Sequence, residues 1–208
     1  VDVDSISTSN LALLATQQLV KLSTAQIAAL TSTQIRALTS TQFGKLTEEQ
    51  VKAIETRDIA GITVSQLQAM TDLQVAAMST KQVQSLGTAI LASLTPVQFA
   101  RFTSAQIKAM DSRQIGVLTS SQILQLSASQ LQAIDALDIA AIRANQLTGL
   151  STTLSNLTSS QLAALTTAQA RALTTAQLNA MSTSQLQAIS TDGIRALGTH
   201  IVGSLPAT

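Results

Sequence analysis

The sequence predicts an all-α solenoid, a superhelix of short capped helices with one helix in each eight-residue repeat. Three observations predict it. The first is the period, plain in TSTQIRAL (31–38), TSAQIKAM (103–110), TTAQARAL (166–173), TTAQLNAM (174–181) and STSQLQAI (182–189), with consensus [T/S]-x-x-Q-[I/L]-x-A-[L/M/I]. The second is a capping box in the first four positions of each octad. The third is the apolar residue at the fifth and eighth positions, a helical spacing.

The chain divides accordingly. Residues 1–6, VDVDSI, alternate in hydropathy and read as an extended segment ahead of the array. A single octad solenoid occupies 7–205: eighteen octads from Ser7 to Leu150, a seven-residue unit STTLSNL at 151–157, and six octads from Thr158 to Leu205. Residues 206–208 form a short tail.

Each helix should start at its Thr or Ser, whose hydroxyl caps the third helical amide while the Gln three residues on reaches back to the cap's own N–H. Thr31 with Gln34, Thr103 with Gln106 and Thr166 with Gln169 have this form. The apolar residue before each cap and the one at the fourth helical position have the spacing of a hydrophobic staple, as in Leu38 with Phe43 and Leu165 with Ala170. Pro96 follows the cap Thr95, at the first helical position where proline is favoured.

One long helix is excluded, because eight residues at about 100° each carry the apolar positions about 80° around the rod per repeat and leave no seam. Strands are excluded because Q-[I/L]-x-A-L joins helix formers at helical spacing. What remains is a helix of about six or seven residues, roughly 10 Å long, too short to survive without neighbours. Ile107 and Met110 should then point inward, with Ala109 allowing close approach. On this reading Ile107→Asp costs several kcal/mol. Gln106→Ala costs of the order of 1 kcal/mol, as part of one cap.

Asp58 and Asp138 replace Gln in ETRDIAGI and DALDIAAI, where a carboxylate still accepts from N-terminal amides. Gly87, Gly193 and Gly198 fall at or near octad boundaries and read as relaxing a bend. The unit at 151–157 reads as a local kink or slipped coil. His200, the single histidine, has no second histidine or cysteine to complete a zinc set or catalytic pair.

Composition narrows the function classes. Only 11% of residues are charged, against about 25% in typical domains, so solubility is expected to rest on Thr, Ser and Gln. A net charge of +1 with scattered Lys and Arg argues against nucleic acid as a partner. No stretch reaches the roughly 18 apolar residues of a membrane span, so no membrane insertion is expected. Phe43, Phe99 and Phe102 all sit at fifth or eighth positions and belong to the core pattern. No catalytic, cofactor-binding or metal-binding residue is assigned, no cofactor is expected, and the chain is not read as an enzyme.

The runs LTTAQLNAM, TTAQARAL and TSTQIRAL resemble the Ala/Thr/Gln-rich octapeptide arrays of large secreted or surface proteins of proteobacteria, often adhesin-like. The resemblance implies an extracellular or cell-surface location. The function expected is a structural array, either a stalk or a self-assembling fibre or matrix subunit, with itself as end-to-end partner. The alternatives are a binding solenoid for another surface protein and, more weakly, an ice- or surface-binding array of Thr hydroxyls, which are already needed as caps.

Overall fold

In the computed structural model, which describes residues 3–198, twenty-two short α-helices and three 3-10 helices follow one another, with no strand among the described residues. The α-helices are four to six residues long: nine reach six, and the others fall short of the six or seven expected. The reason lies at their C-terminal ends, where the eighth-position N–H bonds to the fifth-position carbonyl three residues back, as from Leu38 to Ile35 at 3.3 Å and Leu46 to Phe43 at 3.2 Å. That tighter bond ends the α-helical ladder. Leu38 then turns extended, with φ −60° and ψ 133°, and the next cap Thr39 is extended too, at φ −65° and ψ 157°. Two extended residues thus make each corner, and no left-handed glycine is used.

Capping is reciprocal along the array. The Gln34 amide donates to Thr31 Oγ1 at 3.3 Å while the Thr31 amide donates to Gln34 Oε1 at 2.9 Å. Thr103 with Gln106 repeats this at 3.2 and 2.8 Å, as does Thr166 with Gln169. Where the cap is Ala15 or Arg143 only the Gln half remains, through Ala15 N–H at 2.9 Å and Arg143 N–H at 2.6 Å. Pro96 is the first residue of the helix Pro96–Phe99.

The described residues fall in two compact units divided after Ala109, each built alike. Within each unit a helix stacks on the one three places further along the chain: Ser32–Ala37 on Thr56–Gly61, and Thr167–Arg171 on Thr191–Ala196. Fifth and eighth positions fill the interior: Ile35, Phe43, Ile107 and Leu162 are at most 1% exposed, and Leu38, Met110 and Leu165 are buried. Each octad's ordering depends on neighbours' apolar surface, since a helix this short has no stability of its own. Phe99 and Phe102 meet edge to face, with centroids 5.6 Å apart.

Val3–Ser5, expected to be extended, form one 3-10 turn instead. The unit at 151–157 makes a 3-10 helix over Ser151–Asn156. Leu154 takes the fifth-position place at 0% exposure and Leu157 the eighth at 1%, so the residue missing from this unit is the Gln itself. A 3-10 helix rises about 2.0 Å per residue against 1.5 Å in an α-helix, so it spans the octad's length with one residue fewer. The coil therefore continues through this unit.

Candidate functional site

The repeated polar feature is the fourth-position Gln, and the structure places it inside. Gln34, Gln42, Gln50, Gln66, Gln74, Gln82 and Gln106 in the first unit are at most 4% exposed, as are Gln146, Gln161, Gln169 and Gln177 in the second. This narrows the expectation that Gln serves solubility to the Gln at other positions, of which Gln17, Gln68, Gln84, Gln125, Gln132 and Gln187 are exposed.

Burial of an amide requires partners for both of its ends. Oε1 accepts from the cap N–H of its own helix, leaving Nε2 free to donate elsewhere. It donates to the preceding turn of the coil: Gln42 to the carbonyls of Leu11 at 3.0 Å and Leu14 at 2.7 Å, Gln106 to Val75 at 2.8 Å and Met78 at 2.7 Å. Gln66 and Gln82 do the same to Ile35 with Leu38 and to Val51 with Ile54. The acceptors lie 31 and 28 residues back, at the fifth and eighth positions of the fourth octad before. Of these, the eighth-position carbonyls have no partner within their own helix, while the fifth-position ones also accept from the eighth-position N–H, as Val75 does from Met78 at 3.2 Å. Helices stack three octads apart while the amides reach four octads back, so one turn of the coil takes between three and four octads.

The ladder also records the missing residue. Gln161 reaches Leu131 and Ile134, and Gln169 reaches Ile139 and Ile142, 30 and 27 residues back. Crossing the seven-residue unit shortens the reach by one, and Gln177 keeps Leu147 at 2.7 Å but not Leu150, whose carbonyl accepts from Thr153. Gln98 reaches only the Gln68 carbonyl, at 3.3 Å. Arg101 then serves Met70 through Nη1 at 3.1 Å, with its Nε 2.5 Å from Asp72.

At the irregular units the structure departs from expectation. Asp58, 5% exposed, pairs with Arg57 Nε at 3.3 Å, and Arg57 also holds Glu55 at 3.0 Å. Asp138 accepts from the Ser112 hydroxyl. Gly193 is no bend: it lies within the helix Thr191–Ala196, buried, where a Cβ would come 2.9 Å from Ile189 Cγ2. Gly87 is a helix cap at φ −66°, with open space around its missing Cβ. Gly61 and Gly44 were not singled out by sequence, yet both mark close backbone contact. A Cβ on Gly61 would strike the Ser32 carbonyl, and one on Gly44 would lie 2.6 Å from the Ala69 carbonyl. His200 and residues 206–208 lie outside the described residues, as does the unit GTHIVGSL beyond Gly198.

Asp111 stands at a cap in place of Thr, and its Oδ1 accepts from the Gln114 amide at 2.9 Å. That backbone hydrogen bond, aided by Arg113 at 3.1 Å, holds its carboxyl below the usual Asp value. Among the described residues no group of three or more His, Cys, Asp or Glu side chains is placed to hold a metal ion, and no helix is long and apolar enough to cross a membrane.

No curated protein matches the chain. A family model described as the ALTTAQ repeat matches residues 3–40, 11–48, 51–88, 91–128, 168–199 and 175–206. Its six letters stand unbroken at 164–169 and 172–177, where Ala and Leu close one octad and Thr-Thr-Ala-Gln opens the next. They therefore spell the corner, the cap and the inward amide. With matches over most of its length, the chain belongs to the ALTTAQ repeat family.

Proposed function

We propose that this repeat module is a structural spacer, a stalk or fibre segment at the cell exterior, whose work is to hold whatever flanks it at a set distance. The observation that carries this reading is the direction of the Gln side chains. Of the two polar groups that most octads repeat, the cap hydroxyl serves its own helix and the Gln amide is turned inward, joining one turn of the coil to the last. What the octad repeats is thus the means of extending the array. The exterior location follows from the resemblance to octapeptide arrays of surface proteins.

Self-association is the second part of the proposal. Leu13 at the end of the first α-helix is 82% exposed and Leu14 after it half-buried, and Ile194 at a fifth position in the last is 38% exposed, although such positions, the half-buried Leu186 apart, are buried elsewhere among the described residues. A further coil would cover them, whether it comes from the same polypeptide or from another copy. Light scattering over a wide concentration range tests for the second source. Mass should rise with concentration for residues 1–208 and rise less for a chain lacking 1–6 and 198–208. A strictly monomeric chain at high concentration removes the fibre and leaves the spacer. The alternative, a binding solenoid for another surface protein, is favoured by the exposed Leu73 and Val97, which occupy the third position of octads three apart. Saturable capture of one surface protein, abolished by Leu73→Ser with Val97→Ser, would establish it against the spacer.

A further inference from the structure

The Gln ladder is interrupted where an octad's fourth residue is not Gln, and two interruptions fall on one octad. Residues 55–62 carry Asp58 at that position, and a carboxylate cannot donate to the carbonyls behind it as an amide does. The octad that should clamp 55–62 from the other side is 87–94, whose fourth residue is Ile90. Counting back from Ile90 by the usual 31 and 28 residues leads to Ile59 and Ile62, which thus receive no amide from it. Among the described residues, this is the one interior octad that neither gives nor receives a ladder bond. The unit at 151–157 lacks its own Gln, yet Gln185 still reaches Ser155 and Leu157. The unit at 135–142 has Asp138, yet Gln169 reaches its Ile139 and Ile142.

Three further observations coincide there. The backbone over Thr56–Gly61 is a 3-10 helix, whose hydrogen-bond geometry is poorer than that of an α-helix. Its cap Glu55 makes no side-chain bond to the helix start. Two clefts flank the segment, one of about 460 Å³ beside Glu55, Thr56, Arg57 and Ser79, the other of about 330 Å³ beside Arg36, Ala60 and Gly61. Water thus reaches the backbone from both sides. The apolar packing is intact, with Ile59 at 0% and Ile62 at 2% exposure. The polar contacts across the coil are thinner: Arg36 Nη2 lies 3.5 Å from the Ala60 carbonyl, at the limit of a hydrogen bond.

We propose that octad 55–62 is a built-in yielding point of the first unit, the segment that opens before its neighbours while Gln66, Gln74 and Gln82 still tie the octads after it to those before it. In a spacer under tension, extension would begin there. The test is hydrogen exchange on the full chain, residue by residue and corrected for intrinsic rates. The Ile62 amide should exchange at least tenfold faster than those of Ile54 and Met70, which make the same end-of-helix bond one octad either side. Asp58→Gln combined with Ile90→Gln should bring the three within threefold. Equal rates across 47–70 in the unaltered chain would overturn the proposal. So would a folded double variant in which Ile62 keeps its excess exchange. Should the double variant not fold, the profile of the unaltered chain decides alone.

Discussion

At the level of single residues, Gln106 shows what an octad asks of its fourth position. Losing it leaves the Val75 and Met78 carbonyls without their inter-turn donor as well as removing half a cap. The Val75 carbonyl keeps its bond from the Met78 amide, so at about 1–3 kcal/mol for the Met78 carbonyl left unpaired, added to about 1 kcal/mol for the half cap, Gln106→Ala should cost about 2–4 kcal/mol in urea melts. Gln106→Glu separates the two roles more sharply. A capping box accepts Glu as readily as Gln, and a carboxylate suits the helix start, so capping alone predicts no loss. Because Glu cannot donate to the two carbonyls, it should destabilise at neutral pH at least as much as Ala does. A Gln106→Glu protein as stable as the parent would refute the inward role. This is also where legibility in the sequence fails and why. Caps and core positions are encoded within eight residues, whereas the second bond of Gln joins groups 31 residues apart. Its trace in the sequence is faint: no octad carries Glu at the fourth position, but Asp58 and Asp138, which cannot donate either, stand there.

Asp111 supplies a pH signature at the same scale. Its folded carboxyl is lowered from the usual Asp value of 3.8, chiefly by the Gln114 amide, so folding favours the charged form. The stability it adds is present above 3.8 and is lost as pH falls through the lower folded value. The side chain is 46% exposed, so solvent screens the effect and the contribution is small. Melts of the parent and Asp111→Asn between pH 7 and 2 should converge at the acid end, with the parent the more stable at neutrality.

At the scale of the helix, glycine marks two opposite situations. Gly61 brings its backbone against Ser32 of the stacked helix, so Gly61→Ala forces two packed helices apart. It should cost on the order of 2–3 kcal/mol, as overpacking does. Gly87 has open space and an ordinary extended φ, and as a cap it lacks an acceptor. Gly87→Ser supplies one and should stabilise by a few tenths of a kcal/mol, read as a small rise in melting temperature. A reversed order of the two effects would contradict the stacking. Both six-residue 3-10 helices lie in units without Gln, although the units of Ile90, Asp138 and Gly193 lack it too and stay α-helical. The sequence suggested a kink at 151–157 because it showed only that the count was short by one. It could not show that a change of helix type makes up the length. Inserting Gln between Thr153 and Leu154 restores a consensus octad, STTQLSNL, and should turn the 3-10 helix into an α-helix without disturbing Gln161 or Gln185. Crystallography of that variant would check it.

For the molecule as a whole, the reach of the ladder sets how it can fold. Every side-chain bond described between turns of the coil spans 24 to 31 residues, wherever in the array it lies. Adding octads adds more contacts of the same separation and none that are longer. The mean separation divided by chain length therefore falls as the array grows, whereas in most folds larger chains bring more distant pairings and slower folding. A longer array should nucleate at any run of octads long enough to close a turn and propagate from there, including from the N-terminus as synthesis proceeds. Refolding rates of chains with four, eight or twelve added octads should thus stay flat or rise. Lengthening the array by duplication then carries no kinetic penalty, which leaves the number of octads free to vary without slowing the folding of the chain.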